Sequence, residues 1–297
     1  MSCKKAENLS DTIIIAHRGA SGYLPEHTLP AKAMAYAMNP DYIEQDVVLS
    51  KDSVPLVIHD IYLDEVTNVA QVYPDRKRAD GRYYVIDFNW LEIKQLLATE
   101  RFDHETGKVV FPKRFPKDKS RFGLHTLLEE IELIQGLNKS TGLDIGIYPE
   151  IKNPAFHRKE GYDISKIVLD VLSAYGYMNK KDKCILQCFD FDELKRVRED
   201  LGSNLTLVQL TELKIDEDLW PMVATYADGV GMPYKFVLDK SFVKSAKNQG
   251  LMIHVFTLRT DQNKLWKPMF NEMISSRHID GIFTDQPDQV LQFISEE

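Results

Sequence analysis

Two histidines, three carboxylates, an arginine and a lysine stand at the ends of short apolar runs, and their types suit hydrolysis of a phosphate diester. IIIAHRG closes on His17, Arg18 and Gly19; YIEQD carries Glu44 and Asp46; PLVIHD ends in His59; GIYPEIK carries Glu150 and Lys152. Glu44 and Asp46 are two apart on a run that reads as a strand, so they point to one side. Carboxylates that close repel unless a cation neutralises them. With Glu150 they make a set of hard oxygen donors suited to Mg²⁺ or Ca²⁺ more than to zinc. Any one of these acids alone reads as a solvated strand end, and a lone histidine there as a hydrogen-bonded structural residue. The combination is what implies chemistry. Cleaving a phosphodiester requires the attacking oxygen to lose a proton and the leaving alkoxide to gain one, and histidine suits both near neutral pH. Arg18 offers a planar fork for phosphate oxygens. Lys152 adds a second positive charge, Gly19 lets backbone come near a substrate, and a bound cation would polarise a phosphoryl oxygen.

These residues can meet only if the fold brings strand ends to one rim. Short β-rich runs at 12–17, 42–46, 55–60, 144–150, 184–189, 205–210, 227–232, 251–257 and 280–285 alternate with helical periodicity at 26–38, 125–138, 163–175, 190–201, 239–249, 263–276 and 286–295. Alternation of this kind implies parallel strands with crossover helices. Nine runs are one too many for an eight-stranded barrel. The second and third are joined by VVLSKDSV, whose polar SKDS is a hairpin turn, and a hairpin joins only antiparallel strands. Removing the returning strand leaves eight parallel strands, the count of a TIM-type (β/α)8 barrel, with six of them in 143–297. The hairpin also returns His59 close to Asp46. The reading is therefore one barrel domain over 11–297, a flexible N-terminus at 1–10, and an insertion at 61–124. That insertion is rich in Tyr, Arg, Lys, Asp and Pro, more basic than the rest of the chain, and carries one helix near 89–98. A segment this long is usually functional or disordered, and its aromatic content favours an ordered lid over an anionic substrate.

The chain has 297 residues, 43% of them hydrophobic, enough for a large core. A formal net charge of -8 argues against nucleic acid as a partner and against general affinity for anionic membranes. No apolar run is long enough to span a bilayer. Cys184 and Cys188 share a face of one strand about 13 Å apart, too far for a disulfide, and read as core residues. Cys3 precedes the polar stretch KKAENLSD. It reads either as the lipidated first residue of a mature lipoprotein, with Met1 and Ser2 as cloning residues, or as part of a frayed terminus of a cytoplasmic protein.

AHRGASGYLPEHT (16–28), IEQDVVLSKDSVPLVIHD (43–60), YPEIK (148–152), HVFTLR (254–259) and DGIFTDQP (280–287) together resemble the glycerophosphodiester phosphodiesterase family across nearly the whole barrel. The first two in tandem are highly specific. The resemblance implies a small-molecule glycerophosphodiester substrate, such as glycerophosphocholine or glycerophosphoethanolamine, hydrolysed to sn-glycerol 3-phosphate and an alcohol. It implies His17 and His59 as the acid–base pair, Glu44, Asp46 and Glu150 as metal ligands, and Arg18 and Lys152 as the phosphate grip. Phe256 stands where many members place Trp, which leaves its contact with the glycerol in doubt. The insertion is similar to that of the periplasmic and lipoprotein branch, which implies Ca²⁺ as the cation, with Mg²⁺ second, and an envelope location. Oligomeric state stays open, a dimer included. Two other readings are a phospholipase C- or D-like enzyme on a related barrel, and a surface lipoprotein with an additional host-binding role. Elsewhere His254 reads as barrel interior, His104, His157 and His278 as surface groups, His27 as a helix-start residue, and Glu26 as a residue that orients the rim. Asp285 and Gln187 stand at strand ends within reach of the pocket.

Overall fold

A computed structural model of the chain describes residues 12–277 and 279–296. Cys3, with its reading as a lipid anchor, and His278 lie outside the described residues. The strands are β1 (Ile13–Ala16), β2 (Tyr42–Leu49), β3 (Pro55–Val57), β4 (Leu97–Ala98), β5 (Phe122–Gly123), β6 (Gly146–Ile151), β7 (Ile185–Cys188), β8 (Thr206–Leu210), β9 (Gly229–Pro233), β10 (Met252–Leu258) and β11 (Gly281–Thr284). Eight of them run parallel in the order β1-β11-β10-β9-β8-β7-β6-β2, and pairing of β1 with β2 closes the barrel. β3 lies outside the ring, antiparallel to β2, with Val47 opposite Val57 and Leu49 opposite Pro55. The hairpin expected from SKDS is therefore present. Its turn is set by the Ser53 amide donating to the Ser50 carbonyl at 3.0 Å.

β2 follows the alternation of a strand buried on both faces. Glu44 and Asp46 point into the barrel mouth, and Gln45, between them, points outward. Its side-chain amide donates to Glu130 at 2.8 Å. Glu130 sits on the helix Leu127–Thr141, fully buried, and pairs with Lys32 at 3.0 Å and His125 at 2.6 Å. The Lys32 ammonium comes from the helix Leu29–Ala37 and donates to the Glu44 carbonyl. Two flanking helices are thus tied by a charged network to the back of the strand that carries two of the three acids. The barrel interior is filled by Ile15, Tyr148, Ile185, Val208, Leu210 and Phe283, and a larger apolar layer lies between sheet and helices. Cys184 and Cys188 are free and buried. His254 is buried inside the barrel, 2.7 Å from the Tyr148 hydroxyl. No helix among the described residues is long and apolar enough to cross a membrane.

The insertion is ordered around its own apolar cluster, with Leu63, Val69, Val85, Phe88 and Ile93 packed on Val48, Leu56 and Ile58, the hairpin side chains that share the face of Asp46. The helix expected near 89–98 is shorter: it covers Trp90–Ile93, because Leu97 and Ala98 are taken up pairing with Phe122 and Gly123. One expected surface residue is also corrected. His157 is fully buried, since the short helix Pro154–Lys159 turns it inward, which local polarity does not reveal.

Glu100 follows β4 and is 4% exposed, with Oε2 lacking a hydrogen-bond partner. Burial and the nearby Glu26 carboxylate push its pKa up to about 8 from an ordinary 4.5. Between those values the folded chain holds a proton that the unfolded chain has released, so stability falls as pH rises through that window and levels off above it. Glu100→Gln removes the loss. Its Tm gain over the parent, read by calorimetry, should be larger at pH 8 than at pH 5; equal shifts at both would refute the assignment.

Candidate active site

The rim residues converge because the strand register places them side by side. Asp46 on β2 is opposite Glu150 on β6, and Glu150 is opposite Gln187 on β7. One oxygen each from Glu44, Asp46 and Glu150 fall within 4.8 Å of one another, and all three residues are buried. Burial, with Asp46 as neighbour, raises Glu44 well above the usual carboxylate range. Burial likewise raises Glu150 to about 8 although Lys152 opposes it. Asp46 is held low despite burial, by Lys152, His59 and His27. The triad is thus short of positive charge, and Asp46 Oδ1 is buried with no hydrogen-bond partner. Hard donors, crowding and an orphaned oxygen all fit a divalent cation. Lys152 meets part of the demand, its ammonium 2.7 Å from Glu150 and 3.8 Å from Asp46.

Supporting contacts aim the acids. The Arg18 amide donates to Glu44 Oε2 at 2.9 Å, and the Gln187 amide donates to Glu44 Oε1 at 3.1 Å. His27 Nε2 lies 2.7 Å from Asp46 Oδ2. His27 was expected only to start a helix, but Thr28 is the cap, and a positive φ of 54° turns the His27 ring back into the barrel. Gly19 has φ 85°, and a Cβ there would come 3.0 Å from the Ala31 backbone, so the loop after β1 needs glycine.

His17 and His59 face the same cleft. His17 Nδ1 is 2.6 Å from Asp285 Oδ1, and His59 Nδ1 is 2.7 Å from Asp60 Oδ1. Both aspartates are held well below the usual carboxylate range although burial opposes it: Asp285 by His17, Arg259 and Arg114, and Asp60 by His59 and Arg101. An ionised carboxylate only accepts, so each Nδ1 carries a hydrogen and each Nε2 is left for the cleft. Burial and Arg18 lower His17 to about 4, and burial with Arg18 and Lys152 also lowers His59. His59 reaches this position because the Ile58 amide donates to the Asp46 carbonyl at 2.9 Å, which pins the end of the hairpin against β2.

The main cleft, about 1100 Å³, has a charged end at these residues and an aromatic side that includes Phe156, Phe189, Tyr234 and Phe256. Arg18 and Lys152 both line it. Arg18 is also engaged by Glu26 at 3.0 Å. Phe256 packs against Phe189 and Phe283 at ring separations of 5.9 and 6.5 Å. Every expected site residue is therefore brought to one cleft. The structure adds Asp60, His27, Arg101, Arg114 and Arg259, and gives Asp285 and Gln187 definite partners. Asp60 could have been read from its adjacency to His59. Arg259 closes the HVFTLR motif, whereas nothing local marked Arg101 and Arg114 within the basic insertion. From the insertion, Arg101, Phe111 and Arg114 line a smaller adjoining cavity of about 210 Å³.

A closed (β/α)8 barrel with an acidic triad and two aspartate-bound histidines at its C-terminal rim defines a barrel hydrolase. Residues 17–289 match the model of the glycerophosphoryl diester phosphodiesterase family, and the chain belongs to that family of phosphoric diester hydrolases. It is 43% identical to the glycerophosphodiester phosphodiesterase of Haemophilus influenzae, over 96% of this chain and 90% of that protein. It is 36% identical to the Treponema pallidum glycerophosphodiester phosphodiesterase, over 96% and 92%. Among solved structures, the fold is similar to that of an Oleispira antarctica phosphodiesterase in complex with the product sn-glycerol-3-phosphate, at TM-score 0.71 and 21% identity, covering 95% of this chain and 96% of that one. The Agrobacterium tumefaciens glycerophosphodiester phosphodiesterase gives TM-score 0.67 and 23% identity, covering 96% and 99%.

Loss of an outer hydrogen bond to a metal ligand typically costs about 10–100-fold in affinity. His27→Ala is expected to weaken binding of a divalent cation at the triad on that scale, read by isothermal titration calorimetry. Unchanged affinity would show that His27 does not orient Asp46.

Proposed function

We propose that the chain hydrolyses glycerophosphodiesters of deacylated phospholipids, glycerophosphocholine and glycerophosphoethanolamine among them, to sn-glycerol 3-phosphate and the free alcohol. The observation that carries this reading is that the acidic triad and two histidines with ionised aspartate partners share one cleft. Glu44, Asp46 and Glu150 would hold one divalent cation, with Ca²⁺ first and Mg²⁺ second. Bound there, it would supply Lewis-acid polarisation of a phosphoryl oxygen. Arg18 and Lys152 bring positive charge to the same end of the cleft and orient the phosphate, and the Phe256 wall packs beside the glycerol or alcohol moiety.

The bond to the alcohol oxygen breaks and a new P–O bond forms to water, or first to the adjacent glycerol hydroxyl, whose cyclic product then takes up water. In either order one histidine Nε2 accepts the proton of the attacking oxygen and the other donates one to the departing alkoxide. The neutral state imposed on His17 by burial suits a proton acceptor, and the approach of an anionic phosphodiester raises the proton affinity of both rings. A second reading, a lipid-acting phospholipase, is supported by the aromatic side of the cleft and by Leu213 on its rim, which is 76% exposed.

His17→Ala and His59→Ala should each lower turnover of glycerophosphocholine by at least about a hundredfold, the usual scale for acid–base groups. Chelation should abolish it, and Ca²⁺ and Mg²⁺ added back separately should rank the cations. A nitrophenyl ester, whose leaving group needs no proton, should restore turnover in only one of the two variants and so identify the donor. Near-normal turnover in either variant would overturn the acid–base assignment, and faster hydrolysis of intact phosphatidylcholine would favour the second reading.

A further inference from the structure

Two basic residues of the insertion, Arg101 and Arg114, reach past its surface toward the histidines. Both are bound to the carboxylates that hold the histidines. On one side, His59 Nδ1 meets Asp60 Oδ1 at 2.7 Å, and Asp60 Oδ2 forms an ion pair with Arg101 Nη1 at 2.7 Å. On the other, His17 Nδ1 meets Asp285 Oδ1 at 2.6 Å, and Asp285 Oδ2 accepts from Arg114 Nη2 at 2.7 Å. The two chains of contact have the same order, histidine to aspartate to arginine. Both arginines belong to 61–124, whereas the histidines and aspartates belong to the barrel and its hairpin.

Each arginine is itself fixed. Arg101 also binds Glu26 at 2.6 Å and Glu65 at 2.9 Å, so it joins the His59 side to the carboxylate that engages Arg18. Arg114 binds Asp261 at 3.0 Å and stacks 3.7 Å over Phe111. Their side chains are only 12% and 3% exposed, and neither lines the main cleft. The Arg114 hydrogen bond to the far oxygen of Asp285 keeps that carboxylate ionised and stops it rotating, and the Arg101 charge beside the far oxygen of Asp60 keeps that one ionised. The near oxygen then holds the Nδ1 hydrogen and the ring plane, which decides where Nε2 points.

We propose that Arg101 and Arg114 are positioning residues through which the insertion sets the two histidines, Arg101 acting through Asp60 and Arg114 through Asp285. The inference rests on the acid–base reading of His17 and His59. Arg259 also reaches Asp285, at 3.0 Å, so the His59 side depends on one insertion arginine and the His17 side on two arginines jointly.

The test is a pair of double-mutant cycles on the full chain with glycerophosphocholine. Arg101→Ala should lower kcat by about tenfold or more, on the scale of outer-layer partners, with KM little changed. Arg114→Ala should lower it less. In an Asp60→Asn background, Arg101→Ala should cost almost nothing further, because its route is already cut. In an Asp285→Asn background it should keep its full cost, and the converse should hold for Arg114. Arg101→Lys retains charge among Glu26, Asp60 and Glu65 and should recover part of kcat; it is the variant to measure if the alanine form does not fold. Additive losses in both cycles, or a raised KM at unchanged kcat, would overturn the proposal, the latter showing that these arginines grip substrate directly. If instead His17→Ala and His59→Ala keep near-normal turnover, the acid–base reading fails by itself, whatever the cycles show.

Discussion

Three carboxylates forced into one buried space govern the rest of the molecule. Glu44, Asp46 and Glu150 cannot all stay ionised there without a cation, and the protein supplies partial relief from several directions. Lys152 approaches from just past the end of β6, the Arg18 amide from the loop after β1, Gln187 from β7, and His27 from the loop that leads into the first helix. Together they hold the oxygens apart and aimed inward while the strand itself is anchored from behind by Gln45, Lys32 and Glu130. A buried ion pair is weak evidence of stability. Here its position, directly behind Glu44, makes it a brace for the acidic triad.

The hairpin is the second organising feature. A plain barrel strand ending at Asp46 would leave no returning histidine. β2 instead continues to Leu49, turns, and brings His59 back beside Asp46. Beyond the rim the hairpin face that continues from Asp46, with Val48, Leu56 and Ile58, is then apolar and must be covered. The insertion covers it, which accounts for an ordered segment of this length beside the site. Once packed there it places Arg101 and Arg114 next to the aspartates. Covering the apolar hairpin and engaging the aspartates are thus consequences of one packing arrangement.

The cleft is asymmetric for the same reason. The insertion walls the side of His17 and His59, where the cavity is small and lined by charged groups. The opposite side, built from the loops after β6 to β10, is wide and aromatic. Charge is concentrated at one end of the cleft, and aromatic rings line much of the rest.

Much of this was legible from residue order. Period-two alternation placed Glu44 and Asp46 on one face, the polar SKDS turn demanded an antiparallel return, and the strand count then left a barrel whose rim carries His17, His59, Glu150 and Lys152. These are local facts, since strand periodicity and turn chemistry act over a few residues. The contacts that chain folding creates between distant segments were not legible. His27 looked like a helix start until its positive φ and its bond to Asp46 were seen, and His157 looked exposed until a short helix turned it inward. Arg101 and Arg114 stood in a basic stretch that suggested a lid. Their partners Asp60 and Asp285 lie up to 171 positions away, and only packing of the insertion against the barrel brings them together. Residue types and spacing determined which groups could do the chemistry; tertiary structure decided which neighbours hold them in place, because that depends on contacts no local pattern encodes.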